Sequence, residues 1–241
     1  MLLKTQAICV KNTRFGESGV ISKLFTQDHG MASFLVQGIN RKSSLIKASH
    51  ILPGNILEIV YYKKSTNNIS RIKEIRLLEN FYNNADISRT SVLQFIVEII
   101  SKTNEDEVAD EVIYNFIKYS IISLKKDNQK LKFFPLIFLC KYLKHTGWYP
   151  NFDEITDESK FNLNEGKFVS ENDFSDKLLL NNKRSKQMFE IFDKALEYDY
   201  SEFNITFNHK EIFQSIITYY EIHLLKGKKI KSPEILSDIL G

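Results

Sequence analysis

Five short β-rich runs crowd into the first eighty or so residues, and nothing else in the chain restricts its fold as much. They are residues 7–10, 20–25, 32–36, 55–62 and 69–75. Turn formers separate them: Gly16 and Gly19, Asp28-His29-Gly30, Pro53-Gly54, and the polar stretch 63–68. Runs of this length read as strands, because glycine supplies positive φ and Asp or Asn side chains bond the turn backbone. In the second run Ile21, Lys23 and Phe25 fall on one side of the pleat. Val20, Ser22, Leu24 and Thr26 fall on the other. Five such strands are the content of a small closed barrel of the OB type.

Past residue 80 the period becomes helical. Val92, Phe95, Ile96, Ile99 and Ile100 predict a helix starting near Ser88. Asn104 and Glu107 have capping-box spacing, which predicts a second helix with the stripe Val108, Val112, Phe116, Tyr119 and Ile122. A third is expected over residues 132–145, with Pro135 in its first turn and Gly147 as its stop. Residues 151–181 are polar and acidic, and 161–169 reads as two short strands around Glu165-Gly166. Helices resume near Asn182 and Asn208, and Ser232-Pro233-Glu234 opens a last short one. The expected class is α+β: a five-stranded OB-fold barrel over residues 1–80, then an α-helical domain over 81–241 with an irregular or β insertion at 151–181.

Charge divides at the same place. Residues 1–80 carry 12 Lys+Arg against 5 Asp+Glu, a net of +7, while the rest carry 21 against 25, a net of −4. A basic barrel on an acidic remainder points to a polyanionic partner. The candidate contacts are Lys11, Arg14, Lys23, Arg41, Lys42, Lys47, Lys63, Lys64, Arg71 and Lys73, interleaved with aromatics and amides as in single-strand binders. Arg41 and Lys42 lie in a long polar connection with no apolar neighbour to cover, which favours phosphate. Phe15 and Tyr61 stand open between stacking on bases and packing in the barrel.

Catalytic signatures are missing. The chain has no phosphate-cradling P-loop and no GxGxxG, and Gly16-Glu17-Ser18-Gly19 lacks the spacing of a nucleophile elbow. Its five histidines are scattered, with no HExxH and no Cys-x-x-Cys beside them. No catalytic residue, metal or cofactor is expected, and the chain reads as a non-enzyme. Cys9 and Cys140 sit in apolar runs, as buried thiols of a reducing compartment do. No apolar run reaches the ~20 residues of a membrane span, and the first four residues lack an export signal's basic start. A cytoplasmic address is expected.

Residues 5–40 resemble the N-terminal segment of the RecO family of bacterial recombination mediators. The matching features are Arg14-Phe15-Gly16-Glu17-Ser18, Leu24-Phe25-Thr26, His29-Gly30 and Gly38, followed by Arg41-Lys42-Ser43-Ser44 and Ile72-Lys73-Glu74. Leu143 with Gly147-Trp148-Tyr149-Pro150, then Leu224-Leu225-Lys226-Gly227 and Lys231-Ser232, are similar to that family's helical domain. The resemblance implies DNA repair and recombination in the DNA damage response, near the nucleoid. It implies binding of single- and double-stranded DNA, annealing of complementary strands, and loading of RecA on DNA coated by single-stranded-DNA-binding protein (SSB), with RecR as partner. It also implies a seat for the acidic tail of SSB, expected at Phe138, Lys141 and Lys144. A helix as apolar as 132–145 is more ordinarily just central to its domain. Many members carry a four-cysteine zinc module after the Gly147 turn; here that stretch has no cysteine, so Phe161, Leu163, Phe168 and Val169 would have to hold its fold by apolar contact. The alternative reading is an OB-fold RNA-binding or translation-associated protein.

Overall fold

The computed structural model describes residues 1–39, 46–63, 69–83, 86–104, 108–126, 130–152, 155–156, 158–169 and 178–240. Strands β1 (Leu2–Phe15), β2 (Gly19–Thr26), β3 (Gly30–Gln37), β4 (Ile56–Tyr62) and β5 (Ser70–Glu79) close a barrel in the order β1-β2-β3-β5-β4, with a 3-10 turn at Ala48–Ile51 before β4. The expected α+β architecture, an OB-type barrel followed by helices, is what forms.

β1 is far longer than its apolar centre suggests, because it serves two neighbours. Leu2 to Ile8 pair with β4, and Ala7 to Phe15 pair with β2, with a bulge between Cys9 and Lys11. A bulge bends a strand and sharpens its twist, which lets one strand turn the barrel's corner. Ala7, Cys9, Leu24, Phe34, Val36, Leu57, Ile59, Tyr61 and Ile72 fill the interior. Cys9 donates to the Ile51 carbonyl at 2.8 Å, and burial pushes its thiol up to about 12. β3 meets β5 in parallel over two positions, Phe34 with Ser70 and Leu35 with Arg71.

The chain forms two compact units, residues 1–127 with 235–239, and residues 128–234 with 240–241. The barrel ends at Glu79, but its unit runs on through α1 (Ile87–Thr103) and α2 (Glu111–Leu124). The outer-face residues Ile8, Val10, Phe25 and Met31 are buried as fully as the inner ones. Phe25 meets Tyr114 of α2 at 6.0 Å between ring centroids. Gly54, at φ 88°, lies so close under Leu93 of α1 that a Cβ there would collide with its side chain. α1 starts at an Asp86 cap that accepts from the Arg89 amide at 2.7 Å. α2 departs from expectation. Its cap is Asp110, whereas Asn104 caps the end of α1 and Glu107 lies outside the described residues. Its inward face is Tyr114, Ile117, Ile121 and Leu124, leaving Val108, Val112 and Tyr119 exposed. The helix is apolar on two faces, and contact with the barrel selects one of them.

In the second unit α3 (Phe134–Thr146) is central, with Phe134, Leu136, Phe138, Leu139, Cys140 and Leu143 all fully buried. Pro135 sits in its first turn and Gly147 ends it at φ 75°. Around it stand α4 (Asn182–Glu197) and α5 (Lys210–His223), whereas most of α6 (Ser232–Leu240), residues 235–239, belongs to the first unit. Phe134 stacks on Tyr200 at 3.9 Å, and Tyr220 Oη donates to the Leu139 carbonyl at 2.7 Å. The hairpin of β6 (Lys160–Asn162) and β7 (Lys167–Val169) lies in an aromatic cluster: Phe152 is within 5.9 Å of Phe161, Phe168, Phe189 and Phe192. Phe161, Leu163 and Val169 are buried there, as expected of a hairpin held by apolar contact. Among the described residues no group of three or more His, Cys, Asp or Glu is placed to hold a metal ion, and no helix is long and apolar enough to cross a membrane.

Candidate nucleic-acid interface

The outer face of β1 and β2 divides in two. The half carrying Ile8, Val10 and Phe25 is covered, and beyond the bulge the other half is open. There Lys11 and Lys23 are direct cross-strand partners, and Lys23 is in turn opposite Ser33 of β3. One row along the same face, Ile21 pairs with Leu35, Leu35 with Arg71, and Arg71 with Tyr62 of β4. Two like charges directly opposite in a sheet destabilise it, and none of Lys11, Lys23 and Arg71 makes an ion pair among the described residues. Lys4 and Arg76 differ: both reach Glu58, at 3.0 and 3.1 Å, and the Lys4 hydrogen bond holds that carboxyl below its ordinary range. The open face thus keeps its cations uncompensated while the neighbouring β1–β4–β5 face neutralises its own.

The remaining candidates scatter around this face. Lys73 is at a bulge and pairs with Glu74 at 3.0 Å, so part of its charge is answered within the strand. Lys63 follows β4 directly, and its amide donates to the Met1 carbonyl. Arg14 alternates to the inner side and lines a cavity of about 580 Å³ at the barrel mouth with Asn12, Val20, Ile39 and Leu52. Lys47 immediately precedes Ala48, which also lines that cavity. Arg41, Lys42 and Lys64 lie outside the described residues.

The two aromatics separate. Phe15, at the tip of β1, is 53% exposed, whereas Tyr61 is 2% exposed and packs edge-on to Phe34 inside the barrel. Tyr62, which the sequence reading passed over, is 48% exposed beside Arg71. Strand parity was the signal that would have found it: if Tyr61 faces in, its neighbour faces out.

In the second unit the three partner candidates are not equivalent. Phe138 is wholly buried and stacked on Tyr142 at 5.6 Å, because α3 is surrounded on every side that carries a large apolar group. As a surface contact Phe138 is therefore corrected to a core residue. Lys141 Nζ lies over the Tyr200 ring at 5.3 Å, where burial pulls its pKa down against the opposing pull of Asp199. Lys144 Nζ lies over the Tyr149 ring at 5.2 Å. A cation above a π face is the arrangement of a modest cation–π contact.

Comparison with known proteins covers the same two stretches. A family model described as "Recombination protein O N terminal" matches residues 1–81, and one described as "Recombination protein O C terminal" matches residues 84–233. Among individual relatives, a protein named DNA repair protein RecO from Flavobacterium psychrophilum is 28% identical over 247 residues, covering 100% of both chains. A protein of the same name from Thermoanaerobacter sp. is 31% identical over 237 residues, covering 91% of each. Neither comparison favours the RNA-binding alternative.

Proposed function

The chain belongs to the RecO family of DNA repair proteins, and from that premise we propose that it acts by binding rather than by turnover. It holds single- and double-stranded DNA on the open face of its barrel, anneals complementary strands, and with RecR helps RecA replace SSB. The observation that carries this reading is the opposed pair Lys11 and Lys23 with Arg71 one row away, a set of cations that a phosphate backbone would stabilise. Phe15 and Tyr62 offer rings at the two edges of that face for bases to stack on. Arg41, Lys42 and Lys64 extend the same reading along the connections between strands.

Salt dependence tests it. Neutralising roughly four to seven phosphates gives a log–log slope of about −3 to −5 for single strands. Replacing Lys11, Lys23 and Arg71 together by glutamine should weaken binding to all sequences alike and flatten that slope by about 2. An unchanged slope places the site elsewhere. Strand annealing on SSB-coated DNA, with and without RecR, reads the mediator activity directly. For the SSB tail the candidates are Lys141 and Lys144, and Lys141→Glu with Lys144→Glu should lower affinity for a labelled tail peptide.

A further inference from the structure

The chain has one tryptophan and, elsewhere in the same unit, a turn with four lysines in six residues, 226–231. Trp148 follows the left-handed Gly147 that ends α3. Its amide donates to the Leu143 carbonyl at 3.0 Å, and its own carbonyl accepts from Tyr219 Oη at 3.2 Å. The indole lies 5.8 Å from the His223 ring, tilted by 36°, and that ring in turn lies 4.2 Å from Tyr219. His223 Nε2 donates to the Leu163 carbonyl at 2.9 Å, which fixes the imidazole. Trp148 is thus backed by a stack of rings, yet 47% of it stays exposed.

His223 is also the last residue of α5, and the lysine-rich turn begins three residues later. This turn is built rather than loose. The Gly227 amide donates to the Glu221 carbonyl at 2.7 Å, and the Lys228 amide to the Leu225 carbonyl at 3.0 Å. The buried Glu221 carboxylate accepts from the Ile230 amide at 3.2 Å and pairs with Lys229 at 2.6 Å. Lys226 occupies the left-handed region at φ 49°, where glycine or asparagine would sit with less strain. Lys226, Lys228 and Lys231 are exposed. A ring backed by His223 and a cluster of cations that starts three residues past His223 supply the two elements with which proteins hold single strands, one stacking on unpaired bases and the other binding phosphates. An acidic peptide would use the lysines but leave the ring idle.

We propose that this unit carries a second single-stranded nucleic-acid site, in which Trp148 stacks on a base while Lys226 and Lys228 take neighbouring phosphates. It rests on the DNA-binding reading above and gives an annealing protein a hold on a second strand. Because the chain has one tryptophan, its emission reports this site alone. The probe is oligo(dT), followed both by tryptophan emission and by anisotropy of a labelled copy. Quenching should persist in the full-length variant with Lys11, Lys23 and Arg71 changed to glutamine. Lys226→Gln with Lys228→Gln should weaken the quench-detected affinity roughly tenfold and flatten its salt slope by about 1.4. Trp148→Ala should weaken the anisotropy-detected binding of the barrel variant, and Trp148→Phe should restore it. Binding by anisotropy with unchanged emission overturns the second site and leaves the barrel reading standing. No binding by either signal overturns both. Binding of labelled polyglutamate that Lys226→Gln with Lys228→Gln weakens, with no quenching by oligo(dT), overturns it in favour of an acidic peptide.

Discussion

Lys11 and Lys23 each raise the cost of the other, since like charges opposed across an antiparallel pair are destabilising by about 0.2–1 kcal/mol. Lys23→Gln should therefore raise the urea midpoint slightly while weakening DNA binding, a pair of opposite signs that a purely structural lysine would not give. A second residue sets a pH response. His209 packs against Phe133 at 5.1 Å, and burial, with Lys132 and Lys210 adding to it, holds its pKa below the ordinary 6.5. The folded chain then binds a proton less readily than the unfolded one, so this contribution is complete above pH 6.5 and is lost progressively as pH falls below it. Urea midpoints at acid and neutral pH should show a smaller acid loss for His209→Gln than for the wild type. Equal losses would assign the pH response to other groups.

At the scale of elements, what the sequence disclosed depended on whether a pattern had one solution. β2 has a single alternation, and its inward and outward sets were readable from residues 20–26 alone. α3 was legible as central because it is apolar all round. α2 was not, since Val108, Val112 and Tyr119 fit a helical period as well as Tyr114, Ile117 and Ile121, and only Phe25 on another element decides between them. The ends of β1 were equally hidden, because polar residues such as Lys4 and Thr13 are recruited by partners rather than by their own propensity. Of the candidate site, the charges were legible and their grouping was not: pairing register brings Lys11, Lys23 and Arg71 to one face and sends Arg14 to the mouth. The β6–β7 hairpin yields a prediction of its own. Since aromatic contact holds it, a chelator should leave the melting temperature unchanged and elemental analysis should find no stoichiometric zinc. Phe161→Ala, by contrast, should cost about 3–5 kcal/mol in chemical denaturation.

Over the whole molecule, positive charge is concentrated in residues 1–80, with their net of +7. The first unit also takes in α1 and α2, and Tyr114 of α2 packs on Phe25 of the barrel's outer face. Coverage decides where that charge acts, because helices remove one half of the β1–β2 surface from contact and leave the half beyond the bulge. The barrel's least secured joint adjoins that open half, one strand over from β2. β1 and β2 share eight paired positions, whereas β3 and β5 share two, Phe34 with Ser70 and Leu35 with Arg71. Few backbone hydrogen bonds mean a low free energy of local opening, so native-state hydrogen exchange should find the amides of this seam exchanging before those of β1 and β2. Arg71 is both a seam residue and a candidate phosphate contact. A strand laid from Lys23 across to Arg71 would bridge the joint, and exchange at the seam should then slow on adding DNA, more at low salt than at high. The barrel would behave as a clasp that its own ligand fastens.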